Sequence, residues 1–292
     1  MLPQSFPKIL FVAEARKSGN AEKFLKTVPL HNAPRFRHSA LSRLAFSFLA
    51  FLTVAASAIA APGDLEKQCE PLLATGKFAE ARDIAQKAVA ADPKNAEAHY
   101  CLGIVFITQS NHADATPHFE KAVALVPGVS KYHRALGDAH GLAALHASLL
   151  NKLALAKKCK ASYEKAVELD PASTHARESL INYLWQAPAI AGGGKDKAYA
   201  QIDALEKINP PAARAQRLAY YIKDKKYPEA RAQLTAALAA NPNAPDNYRA
   251  HYQLGQIAEL EGNKPAARAA YQAALSLAPD FKEAKVALEK LP

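Results

Sequence analysis

The sequence predicts an all-α protein, a solenoid of about six helix-turn-helix units closed by a C-terminal capping helix. One observation behind this reading is a recurring string: Ala, a larger residue four positions on, Ala three further, and Pro five beyond that. Another is a Leu-Gly pair that precedes three of those strings. The third is an even, alanine-rich texture from about residue 64 onward, with no internal linker.

The clearest string is Ala115, Phe119, Ala122, Pro127. It is echoed by Ala81, Ala85, Ala88, Pro93; by Cys159, Tyr163, Ala166, Pro171; by Ala230, Leu234, Ala237, Pro242; by Ala267, Tyr271, Ala274, Pro279; and more weakly by Ala198, Ile202, Leu205, Pro210. The Leu-Gly pairs are Leu102-Gly103, Leu136-Gly137 and Leu254-Gly255. Small residues at i and i+7 around a larger one at i+4 put a protruding side chain between two close-contact points on one helix face. Glycine in the partner helix permits close approach, and the closing proline stops the helix and turns the chain.

Together these strings resemble the tetratricopeptide-repeat (TPR) family over roughly residues 62–281. The resemblance implies a right-handed superhelix whose first helices line a concave groove for a protein or peptide partner. Units are expected at 62–95, 96–129, 130–173, 174–212, 213–246 and 247–280, with a cap over 281–292. Lys282, Glu283, Lys285, Glu289 and Lys290 would give that cap a solvated face.

Two units are long. The third carries ten extra residues, which extends both its helices by about 7 Å over Leu142 to Lys157. Leu142, Leu145, Leu149, Leu150, Leu153 and Leu155 cannot all be covered inside a two-helix spike. Either the tips pack on each other or on the next turn, or Leu145, Leu149, Leu150 and Leu153 form a docking surface for a partner, a membrane or a second copy. The fourth unit has five extra residues around the run Ala187 to Ala198, which resembles a segment of exported bacterial TPR proteins of unassigned function.

The net charge of +10 is concentrated at the N-terminus: residues 1–60 carry +6, and the remaining +4 is spread over mixed-charge helices. This argues against nucleic-acid binding, which needs a basic stripe. Arg35, Arg37 and Arg43 precede an apolar run from Leu44 to Ala56 and then Ala58-Ile59-Ala60, so residues 1–60 read as a signal peptide cleaved after Ala60. The mature chain, 61–292, would then be periplasmic or secreted. The alternative is an uncleaved anchor, because Leu44 to Ala61 is about long enough to span a bilayer. Residues 1–36 exceed an ordinary signal-peptide n-region and Met1 is the only methionine, so a downstream start at a non-Met codon is a further reading. Cys69, Cys101 and Cys159 allow one disulfide and one free thiol, or three buried small hydrophobes.

No enzyme motif, metal site or cofactor is expected. Gly192-Gly193-Gly194-Lys195 lacks the strand and the Ser/Thr of a phosphate loop and reads as a long flexible turn. His99, His133 and His251 read as packing residues at the fourth unit position, His140 stands where the family carries tyrosine, and His112 and His118 complete no ligand spacing. Carrying the family's inward-facing positions onto this chain implies a groove of Glu97, Tyr100, Lys131, Arg134, Asp138, Glu178, Asn182, Trp185, Arg249, Tyr252 and Gln256. Lys131 and Arg134 read as a pair for a ligand carboxylate, or else as a solvated basic face. Trp185 is either an aromatic anchor or buried against the glycine turn. The expected function is a non-catalytic adaptor at the cell envelope, with self-association through the leucine-rich hairpin as the alternative.

Overall fold

Alanine-rich segments of good helix formers, punctuated by Asn, Gly and Pro, fold into thirteen α-helices over the residues described, with no strand among them. The computed structural model describes residues 64–291; the signal-peptide and anchor readings, and the cleavage point after Ala60, lie outside them. The helices pair as α1 (Asp64–Ala74) with α2 (Phe78–Ala91), α3 (Ala96–Thr108) with α4 (His112–Leu125), and α5 (Ser130–His146) with α6 (Leu149–Leu169). They continue as α7 (Thr174–Gln186) with α8 (Lys195–Glu206), α9 (Pro210–Lys223) with α10 (Tyr227–Ala240), and α11 (Asn247–Leu260) with α12 (Lys264–Leu277). A last helix, α13 (Lys282–Lys290), packs on α12. Successive first helices touch along one side of the stack: α1 meets α3, α3 meets α5, and α5 meets α7.

The fifth pair begins ahead of residue 213, because Pro210 and Pro211 open α9 instead of closing the preceding unit. Proline suits the first helical turn, whose N–H groups have no intrahelical acceptor, and Asn209 caps that turn by accepting from the Ala212 N–H at 3.2 Å. Asn95, Asn111, Ser173 and Asn263 cap their helices in the same way.

Within four pairs the turn is a Schellman closure. The N–H groups of Lys77, Asn111, Lys226 and Asn263 reach back to the carbonyls of Leu72, Phe106, Tyr221 and Ala258 at 2.8–2.9 Å. The residue before each donor is left-handed: Gly76 and Gly262 at φ 77° and 74°, but Ser110 and Lys225 at 61° and 57°.

Each pair is locked where one residue of its first helix meets one of its second. A Cβ built on Gly103 would stand 2.5 Å from the Phe119 ring, on Gly137 2.6 Å from Tyr163, and on Gly255 2.4 Å from Tyr271. The missing side chain therefore admits an aromatic ring, and all three rings are buried. Without glycine, both sides become middle-sized: Ile181 with Ile202, and Leu218 with Leu234, share buried clusters. In the first unit the two positions are Cys69 and Ala85, both small and buried together. Cys69 forms a disulfide with Cys101, joining α1 to α3 across a Cα–Cα distance of 6.4 Å, and Cys159 remains free and buried.

Replacing Gly103 or Gly255 by alanine drives a methyl into a ring with no room to retreat, which is expected to cost about 1–3 kcal/mol in urea unfolding followed by circular dichroism. Under oxidising conditions, Cys69→Ser with Cys101→Ser is expected to cost about 3–4 kcal/mol, from release of a loop of 32 residues. Adding reductant to the wild type should reproduce that loss.

Candidate functional site

The expected groove residues fall into three separate patches on the first helices. In the first, α3 and α5 bring Tyr100, Lys131, Arg134 and Asp138 together, and α1 adds Glu66. Arg134 donates to Asp138 at 2.9 Å, and Tyr163 of α6 donates its hydroxyl to the other Asp138 oxygen at 2.7 Å. Lys131 is paired with Glu66, and its ammonium lies 5.6 Å from the Tyr100 ring centre and 5.8 Å from that of Tyr132. Burial pushes the Tyr100 phenol up to about 12. Lys131 and Arg134 are thus neither a ready clamp for a ligand carboxylate nor a solvated basic face; each already holds a carboxylate of this chain. Glu66 and Tyr163 are absent from the expected groove residues: Glu66 stands in the first unit at the position equivalent to Tyr100 and Arg134, and Tyr163 reaches the inner face from a second helix. Burial raises the Tyr132 phenol, and the charge of Glu97, half-buried at the start of α3, adds to the rise.

The second patch joins α7 to α9. Asn182 accepts from the Tyr220 hydroxyl at 2.5 Å and from the Gln216 amide at 3.4 Å. Trp185 stacks on Tyr220 with ring centres 4.1 Å apart and meets the edge of Tyr199 at 5.8 Å, while Lys195 covers it at 5.2 Å. Trp185 therefore ties two units together through Tyr220, instead of standing free as an anchor or lying against the glycine turn. Tyr220 and Gln216 are absent from the expected groove residues, and only their contacts with Asn182 and Trp185 reveal them.

Glu178 differs from its neighbours. It sits one helical turn before Asn182 on α7 and is half-buried, and among the described residues no hydrogen bond or ion pair holds it. Burial raises its carboxyl pKa, opposed only by the charge of His175.

The third patch lies on α11. Tyr252 packs against Tyr271 and against Phe281, the residue before the cap helix, at 5.5 and 5.1 Å. Arg249 is exposed and donates to the Tyr248 hydroxyl at 3.0 Å, and Gln256 is exposed.

Tetratricopeptide-repeat profiles match residues 72–130, 142–173 and 220–280, together just over half of the chain. The chain belongs to the tetratricopeptide-repeat family. PilF of Pseudomonas aeruginosa is similar in structure, at a TM-score of 0.51 and 18% identity over 76% of this chain and 94% of that one. A thermophilic TPR protein of Thermus thermophilus aligns at a TM-score of 0.44 and 16% identity over 79% of this chain and 98% of that one. At these identities the likeness concerns the fold. No curated protein matches the sequence. The TPR fold is a scaffold for protein–protein interaction.

Within this TPR frame the histidines serve the backbone. His99 is buried, as a packing residue is expected to be, and both it and His133 also bond through Nε2 to the carbonyls of Pro93 and Pro127, at 3.1 and 2.8 Å. Arg177 and Asn247 do the same for Pro171 and Pro242, at 3.0 and 2.9 Å, so Asn247 and not His251 fills this role in the last unit. Since Nε2 of His99 must donate to a carbonyl, its Nδ1 is left to accept from His118 Nδ1 at 3.0 Å. Among the described residues no three His, Cys, Asp or Glu side chains converge on a metal position.

The glycine turn is a built structure where a flexible loop was expected. The N–H groups of Gly192, Gly193 and Gly194 bond to the carbonyls of Ala189, Pro188 and Leu184 at 2.8, 3.2 and 2.8 Å, leaving none of the three for an anion. A Cβ on Gly193 would stand 1.9 Å from the Ala187 carbonyl oxygen, so only glycine fits there.

Burial lowers the pKa of His112 and His118, and takes buried His140 down to about 4 with help from Lys158. A folded pKa below the unfolded value of about 6.5 gives stability that is full above that value and is lost as pH falls toward the folded one. Asp138 and Glu178, whose pKa values are raised, act in the opposite sense at the acid end. The contribution of His140 is therefore read by difference: between pH 7 and 4.5 the wild type is expected to lose about 2–3 kcal/mol more than His140→Phe in urea titrations.

Proposed function

We propose that this protein is an exported, non-catalytic adaptor that holds a segment of a partner protein along the row of first helices, at the cell envelope. Glu178 is the observation that carries the reading. The basic groups of the first patch are satisfied within the chain, Lys131 by Glu66 and Arg134 by Asp138. Glu178 is a partly desolvated carboxylate for which no described residue is a donor. Such a group gains most from a cation brought by a ligand, because the cost of removing it from water is already partly met in the free protein. Asn182 marks the direction of this face, since it bonds across to α9, and Trp185 with Tyr220 continues it. The segment that fits is extended, with a lysine, arginine or amino terminus at Glu178 and an apolar residue beside the Trp185–Tyr220 pair.

Export is supported by the Arg-then-apolar pattern before Ala60 and by the Cys69–Cys101 disulfide, a bond that persists in oxidising compartments. A non-catalytic role is supported by where the reactive groups are spent. His99 and His133 bond to backbone carbonyls, and burial holds the Cys159 thiol up at about 12, far from a nucleophilic thiolate.

The test is affinity capture from the envelope fraction of the native cells by residues 61–292, wild type beside Glu178→Gln and Glu178→Lys. Glu178→Gln removes a desolvated charge, so its melting temperature is expected to be unchanged or higher, and the long stem of Glu178→Lys lets its ammonium reach solvent, so its helical circular dichroism is expected to be kept. Capture of the partner is expected to fall about tenfold or more for Lys and less for Gln. Equal capture by all three would remove the inner row from consideration.

A further inference from the structure

The α5–α6 hairpin departs from its neighbours in length, in exposure and in charge. Helix α6 runs 21 residues and α5 runs 17, where other paired helices have 11–14, so the hairpin apex stands beyond the adjoining pairs. Part of the leucine stripe is covered: Leu142 is buried, and Leu153 and Leu155 are partly so. The apex is not. Leu149 is 83% exposed, Leu150 84% and Leu145 49%, grouped around the two-residue connection Ala147-Ser148. Two leucines almost fully in water at the extremity of a projection are unusual for an ordinary solvated helix end, where charged and capping residues are preferred.

Charge identifies what would cover them. From Ala139 through Tyr163 the chain has no Asp or Glu, and this stretch holds Lys152, Lys157, Lys158 and Lys160. Lys160 is paired with Glu164 at 2.5 Å. Lys152, Lys157 and Lys158 are exposed, and no carboxylate among the described residues pairs with them. Lys152 lies about 5 Å along the α6 axis from Leu149, and Lys157 and Lys158 about 12–14 Å. Their stems are long enough to keep the ammonium groups at one level while the leucines go deeper.

We infer that the tip of this hairpin docks on an anionic lipid surface, with Leu149, Leu150 and Leu145 entering the acyl boundary and Lys152, Lys157 and Lys158 meeting the phosphates. A second copy fits the charge poorly, because tip-to-tip packing about a twofold axis would bring both sets of lysines face to face. A bilayer rich in anionic headgroups supplies what the tip lacks: an apolar layer beneath a sheet of negative charge. The interaction would be peripheral; no helix among the described residues is long and apolar enough to cross a membrane. It is independent of the groove, and would hold the stack against a membrane with the row of first helices free for a partner.

The experiment reads the tip directly, so that a contribution from residues 1–63 cannot imitate it. Leu150→Trp is introduced into the full chain and its emission compared with that of the wild type, whose only tryptophan is Trp185. With phosphatidylglycerol vesicles the added tryptophan is expected to shift to the blue and to be quenched by brominated acyl chains. With phosphatidylcholine alone the effect should be at least tenfold weaker, and Lys152→Glu with Lys157→Glu and Lys158→Glu should abolish it. In flotation, Leu149→Ser with Leu150→Ser is expected to lose at least tenfold in partition while keeping its helical circular dichroism. An unshifted, unquenched tryptophan overturns the inference. So does a concentration-dependent mass without lipid that the serine substitutions abolish, which would assign the tip to a second copy.

Discussion

Each helix pair in this stack closes on a single crossing point, and the volume available there is what the rest of the architecture depends on. Glycine faces an aromatic ring in three pairs, isoleucine faces isoleucine in one and leucine faces leucine in another. Helix axes approach to about 8–10 Å, and a methyl group added on the wrong side cannot be absorbed by a close-packed interior. Where the ring is tyrosine, its hydroxyl reaches through the crossing to a carboxylate of the first helix, Asp138 for Tyr163 and Glu259 for Tyr271. The lock and part of the polar inner face are therefore one structure. The first pair uses two small residues, and there the chain adds a covalent link to the next unit.

That coupling has a consequence for recognition. Charges on the inner row near the N-terminal end are committed within the chain, since Lys131 ties α5 to α1 and Arg134 is held by a carboxylate that also anchors Tyr163 of the same helix pair. Likewise the aromatic groups between α7 and α9 hold one unit on the next. The inner row between α1 and α9 is thus largely satisfied within the chain, and Glu178 stands out on it as a half-buried carboxylate that no described residue pairs with. Affinity on such a surface comes from fit along an extended segment and from a few well-placed groups, not from bare charge.

The two irregular units sit side by side and serve different ends. The ten added residues of the third lengthen both helices and push leucines and lysines past the stack. The added residues of the fourth are folded back by Gly192, Gly193 and Gly194 into a hydrogen-bonded turn against α6, where a side chain on Gly192 would strike the Lys160 stem. One insertion therefore extends the surface, and the other braces the base of the extension.

The sequence alone determined the helical class, the number of pairs and the places where glycine meets a larger residue. These depend on local spacing and side-chain size, which any segment carries in itself. It also marked the long third unit and its leucines. What only the tertiary structure decided is which polar groups face one another. Whether Lys131 waits for a ligand or is held by Glu66, whether Trp185 is free or stacked on Tyr220, and whether Cys69 finds Cys101 or Cys159 all depend on contacts between residues far apart in the chain. Such contacts are set by how far each unit rotates on the last. Spacing within a unit does not contain that angle, and Tyr220 and Gln216 reach Asn182 of the preceding unit from positions that a count within their own unit does not single out.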